Sequence, residues 1–148
     1  MKKIIFLFLF FLFNVSFSQE SGNALYKESR MYDYSTYESK ELIKLKTENY
    51  LLDLIAAGFK IKKNEVTRDK IDINITYIIN SNSSVNYNVI YYFEDSYYNV
   101  RVFYPVCVIN KPKKLIDVDI TNPNHRKLID TIENLMFKNY QTYINSNF

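Results

Sequence analysis

Few residues in this 148-residue chain could carry out chemistry. It has one histidine, His125, and one cysteine, Cys107. A zinc site built from Cys and His ligands needs more of these residues, and nothing local brings the two together as a nucleophile and its base. Two glycines are too few for a glycine-rich phosphate loop. We therefore predict no cofactor, no metal site and no catalytic residue, with Cys107 as a small buried hydrophobe.

Carboxylate pairs are the remaining candidates for catalysis. A close pair could serve acid–base chemistry or contribute to a calcium site. The sequence contains three such pairs: Glu94–Asp95, Asp117 with Asp119, and Asp69 with Asp72. The first falls in a predicted turn, where Asp is favoured for turn geometry alone, and no third ligand is identifiable for the second. A small carboxylate-dependent hydrolase therefore stays as an alternative to a non-catalytic protein.

The N-terminal segment has the pattern of a secretory signal peptide. Two lysines precede an apolar run over residues 4–13, and small residues stand at Ser16 and Ser18. This pattern predicts cleavage between Ser18 and Gln19, and the run is too short for a membrane span. We expect an exported protein, periplasmic or extracellular, with no transmembrane segment after cleavage. The lone Cys107 then permits no intrachain disulfide.

The mature chain is expected to be close to neutral. Removing residues 1–18 leaves 130 residues, with 17 basic side chains against 16 acidic ones. A net charge near +1 gives no large field to attract nucleic acid. The length suits a single domain. We place a flexible lead-in at residues 19–30 and one domain at residues 31–148.

Hydrophobic periodicity predicts two amphipathic helices. The first runs from about Tyr37 to Ala57, capped either by a capping box over residues 35–38 or by Ser39, and ends at Gly58. The second begins with Asn122 as its N-cap and Pro123 at its first position. The core-facing stripe of the first is predicted as Leu42, Leu45, Leu52, Ile55 and Ala56. That of the second is predicted as Leu128, Ile129, Ile132, Leu135, Met136, Tyr140, Tyr143 and Ile144.

Alternating apolar residues predict the strands. The pattern is weak over residues 31–37 and 59–62 and strong over 71–79, 85–93 and 97–109, with a short extended piece at 115–120. Two helices and a half-apolar sheet bury one another's faces. We predict an α+β two-layer sandwich, with both helices on one face of an antiparallel sheet and the order β-α-β-β-β-β-α.

The predicted turns leave one face of the sheet polar. Turns at residues 80–84 and 95–96 pair Ile75 with Val89 and Tyr91 with Val100, which gathers the apolar residues on one side. The other side receives one row of Asp72, Tyr92 and Asn99, and a second row of Asn74, Ile90 and Arg101. Tyr and Arg are common anchors in interfaces. The candidate contact surface is therefore Asp72, Asn74, Tyr92, Asn99 and Arg101.

The central strands also resemble a known family. Residues 85–109 read VNYNVIYYFEDSYYNVRVFYPVCVI and follow KIDINITYII at 70–79. They resemble the core of a bacterial domain family of unknown function, with a predicted TBP-like fold and the order β-α-β4-α, from secreted proteins of Bacteroidetes. The end of the predicted signal peptide, SFSQ, also resembles the signal peptides of such proteins. The likeness covers roughly residues 31–109, and the final helix fits the family's closing element. Residues 94–101 lack the glycine of the family's Lys-Asp-Gly-Arg-Tyr-Arg-type hairpin.

The resemblance implies a fold and an exported setting but no site, since the family brings no known catalytic residues. The fold name suggests DNA binding, which export and a charge near +1 oppose. We expect a non-catalytic binding or envelope-associated domain, whose partner is an envelope or extracellular protein. The alternatives are the hydrolase and an inhibitor or immunity-type protein that occludes a partner.

Overall fold

The computed structural model describes residues 29–110, 113–118 and 121–146. The predicted signal peptide and residues 19–28 of the predicted lead-in lie outside these ranges. The strands are β1 (Ser29–Ser35), β2 (Lys60–Val66), β3 (Lys70–Asn80), β4 (Ser83–Glu94), β5 (Tyr97–Asn110) and β6 (Lys113–Asp117). The helices are α1 (Lys40–Ala56), α2 (Pro123–Glu133), a π-helical segment (Asn134–Asn139) and α3 (Tyr140–Asn145).

The six strands form one antiparallel sheet in the order β1-β5-β4-β3-β2, with β6 also paired to β5. β1 pairs with one half of β5, from Tyr97 to Phe103, and β6 pairs with the other half, from Val106 to Asn110. The predicted α+β class with helices against an antiparallel sheet is confirmed. The predicted order omitted one strand, because the short extended piece at 115–120 is the paired strand β6.

The core lies between one face of the sheet and the helices. The residues that are wholly buried there include Ile71, Ile73, Ile75, Val85, Val89, Tyr91, Tyr98, Val100, Met136, Tyr140 and Ile144. β-branched and aromatic side chains pack well on a pleated surface, which favours the strand conformation for this sequence. None of the described helices packs on the opposite face of the sheet.

α1 buries a different face from the one that its sequence predicted. Its buried residues are Ile43, Lys46, Thr47, Tyr50, Leu51 and Leu54. The predicted stripe points outward, and Leu45 and Leu52 are 53% and 62% exposed. Leu42, Ile55 and Ala56 are exposed as well. Apolar side chains on both sides make the periodicity ambiguous, and the ring of Tyr50, packed 5.4 Å from that of Tyr140, faces the core instead.

The ends of α1 are as short-range signals predict. Of the two predicted caps, Ser39 is the one that forms, and its hydroxyl accepts from the Leu42 N–H at 3.4 Å. Gly58 follows the helix with a φ of 96°, a conformation that costs glycine little. The following strand, β2, then runs along the edge of the sheet.

The chain from residue 123 to 145 forms one helical rod. Asn122 caps it and Pro123 is its first residue, as predicted. The predicted stripe is confirmed, with Leu135 and Tyr143 half-buried and the other members buried. Phe137 is also buried, which a 3.6-residue period misses because the π-helical segment widens the turn there. The Tyr50 hydroxyl donates to the Leu135 carbonyl in this segment at 2.6 Å.

Two polar contacts tie distant parts of the chain to this rod. The Lys46 ammonium donates to the carbonyls of Ile144 and Ser146, both at 2.8 Å, and lies 3.0 Å from a carboxylate oxygen of Glu38. Carbonyls at a helix C-terminus lack intrahelical partners, so a cation there satisfies them. Near the middle of the rod, Arg30 of β1 forms an ion pair with Glu133 at the end of α2.

Candidate functional site

The predicted contact residues all lie on the face of the sheet opposite the described helices, which we call the open face. Asp72 and Asn74 alternate with buried isoleucines on β3, Tyr92 with buried rings on β4, and Asn99 and Arg101 with buried residues on β5. Asn74, Tyr92 and Arg101 are exposed, and Asp72 and Asn99 are half-buried. Strand parity alone places them together, because successive side chains point to opposite faces.

Their arrangement within the face differs from the predicted rows. β3 and β4 join through a tight turn at residues 81–82, so Ile75 pairs with Tyr87 and Asp72 pairs with Ile90. Arg101 therefore shares a row with Asp72, whereas Tyr92 shares one with Lys70 and Asn99. The five-residue loop predicted at residues 80–84 placed the register between β3 and β4 wrong by two residues. A shift of two keeps every side chain on its face, which is why the composition of the open face was right.

A cluster of amide and carboxylate groups occupies the part of the open face nearest β2. Asn64 donates to Asp72 Oδ1 at 2.9 Å, and Asn74 donates to Asn64 Oδ1 at 3.2 Å. With its amide nitrogen turned toward β3, Asn88 donates to Asp72 Oδ1 at 3.2 Å and to Asn74 Oδ1 at 3.1 Å. We call Asn64, Asp72, Asn74 and Asn88 the amide cluster. Its side chains hold one another in place and present further acceptors and donors to solvent.

The sequence prediction named two members of this cluster and missed the other two. Asn88 has the same strand parity as Tyr92, so the alternation of β4 could have identified it. Asn64 could not be found in that way, because β2 was predicted only as far as residue 62. The register of β2 against β3 also shifts between Lys63 and Glu65. Such a bulge changes which side chains reach a face and leaves no clear trace in the sequence.

Arg101 and Asn99 occupy the β5 side of the open face. Arg101 donates from Nε to the Ser29 hydroxyl at 2.9 Å, and its guanidinium lies 4.8 Å from the centre of the Phe103 ring. A stacked guanidinium keeps further N–H groups free to donate. Among the described residues, no hydrogen-bond partner reaches the buried Oδ1 of Asn99. This side of the face thus offers the remaining N–H donors of Arg101, while the Asn99 Oδ1 is shielded from solvent.

Charges of both signs border these groups. Lys70 forms an ion pair with Glu65 at 2.5 Å, which raises the pKa of that lysine. Tyr97 donates its hydroxyl to Asp33, and this hydrogen bond raises the pKa of Tyr97. Neither sign dominates, so the open face is suited to hydrogen bonding with a mixed polar surface.

Three carboxylates of the predicted pairs are engaged in hydrogen bonds with other groups. Asp69 accepts from Lys40 Nζ at 2.7 Å, which lowers the pKa of Asp69, whereas Asp72 lies in the amide cluster. Asp95 accepts from the backbone N–H of Lys40 at 3.0 Å, at the start of α1. The side chains of Asp117 and Asp119 lie outside the described structure.

The remaining reactive residues are separate from the open face. Cys107 is buried in β5, and this burial raises the pKa of its thiol. His125 is half-buried in the first turn of α2. Within residues 29–110, 113–118 and 121–146, no three His, Cys, Asp or Glu side chains lie close enough to hold a metal ion. None of the helices in those ranges is long and apolar enough to cross a membrane.

These features define a class: a single-sheet α+β domain with a TBP-like fold and one uncovered face. It is similar to a TBP-like protein from Parabacteroides distasonis, with 12% identity and a TM-score of 0.57 over 80% of this chain and 94% of that one. It is also similar to a DUF4468 family protein from Bacteroides ovatus, with 10% identity and a TM-score of 0.60 over 83% and 90%. The predicted TBP-like fold is confirmed. No family model and no curated protein matches the sequence.

Proposed function

We propose that this chain is an exported, non-catalytic binding domain whose open face contacts an envelope or extracellular protein. The observation that carries the proposal is the open face itself. The fold buries one side of the sheet under its helices and leaves the other with Tyr92, Arg101 and the amide cluster exposed or half-exposed. Tyr and Arg supply large contact area with directional hydrogen bonds, which is why they are frequent interface anchors.

The chemistry of this face favours a polar protein surface as its partner. The amide cluster holds Asn64 and Asn88 in fixed positions, so little side-chain entropy is lost on binding. Arg101 is stacked on Phe103, and this stacking reduces the entropic cost for the guanidinium as well. An inhibitor or immunity-type role would use the same surface, and the identity of the partner separates the two.

Co-purification from the envelope fraction tests this proposal. The mature chain is used as bait, beside a Tyr92→Ala/Arg101→Ala variant and a matched control, Tyr37→Ala/Arg68→Ala. The control removes an exposed tyrosine and an exposed arginine that lie off the open face. We expect a partner held by the wild-type chain and by the control to be lost with the open-face variant. If every partner is captured equally by all three, the surface is wrongly assigned.

Export is tested separately by the N-terminal sequence of the protein purified from its native host. The predicted signal segment supports a mature protein that begins at Gln19. A protein that retains Met1 or the apolar run would contradict export by cleavage, while leaving the open-face proposal intact.

A further inference from the structure

α1 has two apolar faces, and the described residues cover only one of them. The outward side carries Leu42, Leu45, Leu52 and Ile55, which are 37%, 53%, 62% and 47% exposed. A helix that is apolar on both sides is normally covered on both sides. Four large aliphatic side chains on one short helix are more than the scattered single residues that ordinary surfaces show.

The spacing of the outward residues identifies what fits against them. Positions 42, 45, 49, 52 and 56 follow one another at intervals of three, four, three and four residues, which is the heptad spacing of a helix that packs on another helix. We call Leu42, Leu45, Asn49, Leu52 and Ala56 the outer seam. Asn49 stands at its centre, where a polar residue selects the partner and register at some cost in stability. A flat sheet or a lipid surface would require neither this spacing nor the central amide.

Each border of the outer seam carries one acidic residue. Glu48 lies on one side of the seam and Asp53 on the other, at the positions whose charges set partner choice in paired helices. Lys46 also falls at a border position, but its ammonium is held inside the domain by Glu38 and two carbonyls. Two copies packed in parallel would set Glu48 of one against Asp53 of the other. Repulsion between these like charges therefore disfavours a second copy packed in parallel.

We propose that the outer seam docks one amphipathic helix of another protein, with leucine-type residues along its contact stripe and Lys or Arg on both borders. An amide side chain of this helix would meet Asn49. The helix would lie on the helical side of the domain, whereas the open face lies on the other side of the sheet. The domain could then hold two partners at once.

A pair of synthetic peptides tests the proposal. Both are 21-residue helices with leucine along the contact stripe and asparagine at its centre; one has lysine and the other glutamate at the border positions. Their binding to the mature chain is measured by fluorescence anisotropy at low and high salt. We expect the lysine peptide to bind about tenfold or more tightly than the glutamate peptide, with the difference shrinking as salt screens the border charges.

Matched variants locate the binding. Leu45→Asp/Leu52→Asp changes two exposed positions of the outer seam and should weaken the lysine peptide about tenfold or more. The control Ile78→Asp/Leu115→Asp changes two exposed apolar residues on other elements and should bind like wild type. Circular dichroism confirms that each variant is folded before binding is measured.

Three results would overturn the proposal: no binding of the lysine peptide, equal binding of both peptides, or equal binding by the outer-seam and control variants. Sedimentation measurements supply a fourth result that would overturn the proposal. A dimer that Leu45→Asp/Leu52→Asp abolishes would make a second copy the occupant. Because Tyr92 and Arg101 lie outside the outer seam, none of these results bears on the open face, and loss of the envelope partner leaves the outer seam untouched.

Discussion

Three tyrosines of the core are expected to respond with opposite signs to the loss of a hydroxyl group. The Tyr140 hydroxyl lies 2.6 Å from that of Thr47, whose O–H group donates in turn to the Ile43 carbonyl. Tyr87 and Tyr98 are 2% and 0% exposed. Within the described part of the chain, their hydroxyl groups have no hydrogen-bond partner. Replacing each tyrosine by phenylalanine keeps the ring and its packing and removes only the hydroxyl.

The expected magnitudes follow from the free energies of hydrogen bonding and desolvation. Tyr140→Phe should cost about 1 kcal/mol of unfolding free energy, because a made hydrogen bond contributes about 0.5–1.5 kcal/mol net. A buried polar group without a partner carries a desolvation cost of about 1–3 kcal/mol. Tyr87→Phe and Tyr98→Phe should therefore leave stability unchanged or raise it by about 1 kcal/mol.

Urea unfolding followed by circular dichroism measures the three changes. With a slope of about 1–3 kcal/mol/M for a small domain, Tyr140→Phe should lower the midpoint by about 0.5 M. A loss of 1 kcal/mol or more in Tyr87→Phe or Tyr98→Phe would refute the reasoning, since it would mean that those hydroxyl groups are paired. A gain of stability in Tyr140→Phe would also refute the reasoning, since it would mean that the Tyr140 hydroxyl does not stabilise the fold.

Two further predictions concern buried polar groups. Lys46→Met should lower the free energy of unfolding by about 2–4 kcal/mol, because it leaves two helix-end carbonyls and a half-buried Glu38 without their cation. Lys44→Met serves as the control. Equal losses of stability in the two variants would contradict the assignment. Burial raises the pKa of Tyr34 and of Tyr50 to about 12, above the ordinary 10.0. Their contribution to stability is therefore complete below pH 10 and lost as the pH rises toward 12, so a urea midpoint that stays constant from pH 8 to 11.5 would contradict their burial.

The faces of the sheet were predictable, and so was the β4–β5 register near the turn, where Tyr91 pairs with Val100 as predicted. The β3–β4 register was predicted wrongly. Alternation in β3, β4 and β5 is strong enough to assign each residue to one face of the sheet. This assignment stays correct when the register between two strands changes by an even number of residues. The register depends on turn geometry, and the run of turn-forming residues at 80–84 fits both a five-residue loop and the tight turn that forms. β5 also meets β4 through a bulge, so Tyr87 faces two residues of β5 rather than one. Nothing local to either strand signals that insertion.

The buried face was predicted correctly for the C-terminal helical rod and wrongly for α1, and the number of apolar faces on each explains both outcomes. The stripe of residues 128–144 is the only apolar face on that rod, so its burial followed directly from periodicity. α1 has two candidate faces, and the choice between them depends on contacts with residues far along the chain. Tyr50 reaches Leu135 and Tyr140, and Lys46 reaches Ile144. A lysine buried by such distant carbonyls has no local signature, since Lys is ordinarily a surface residue.

The pairing of β1 with β5 has a consequence for the order in which the domain assembles. Ser29 opens β1 and pairs with Phe103, while Tyr32 packs 4.1 Å from Phe137 of the C-terminal rod. β1 is thus synthesised well before the residues that pair with it and pack against it. Until residues 97–103 of β5 are available, β1 lacks the strand it pairs with, and closing so long a loop is slow. The β2–β5 meander, built from neighbours in sequence, can form first, and β1 with the rod then joins as the closing step.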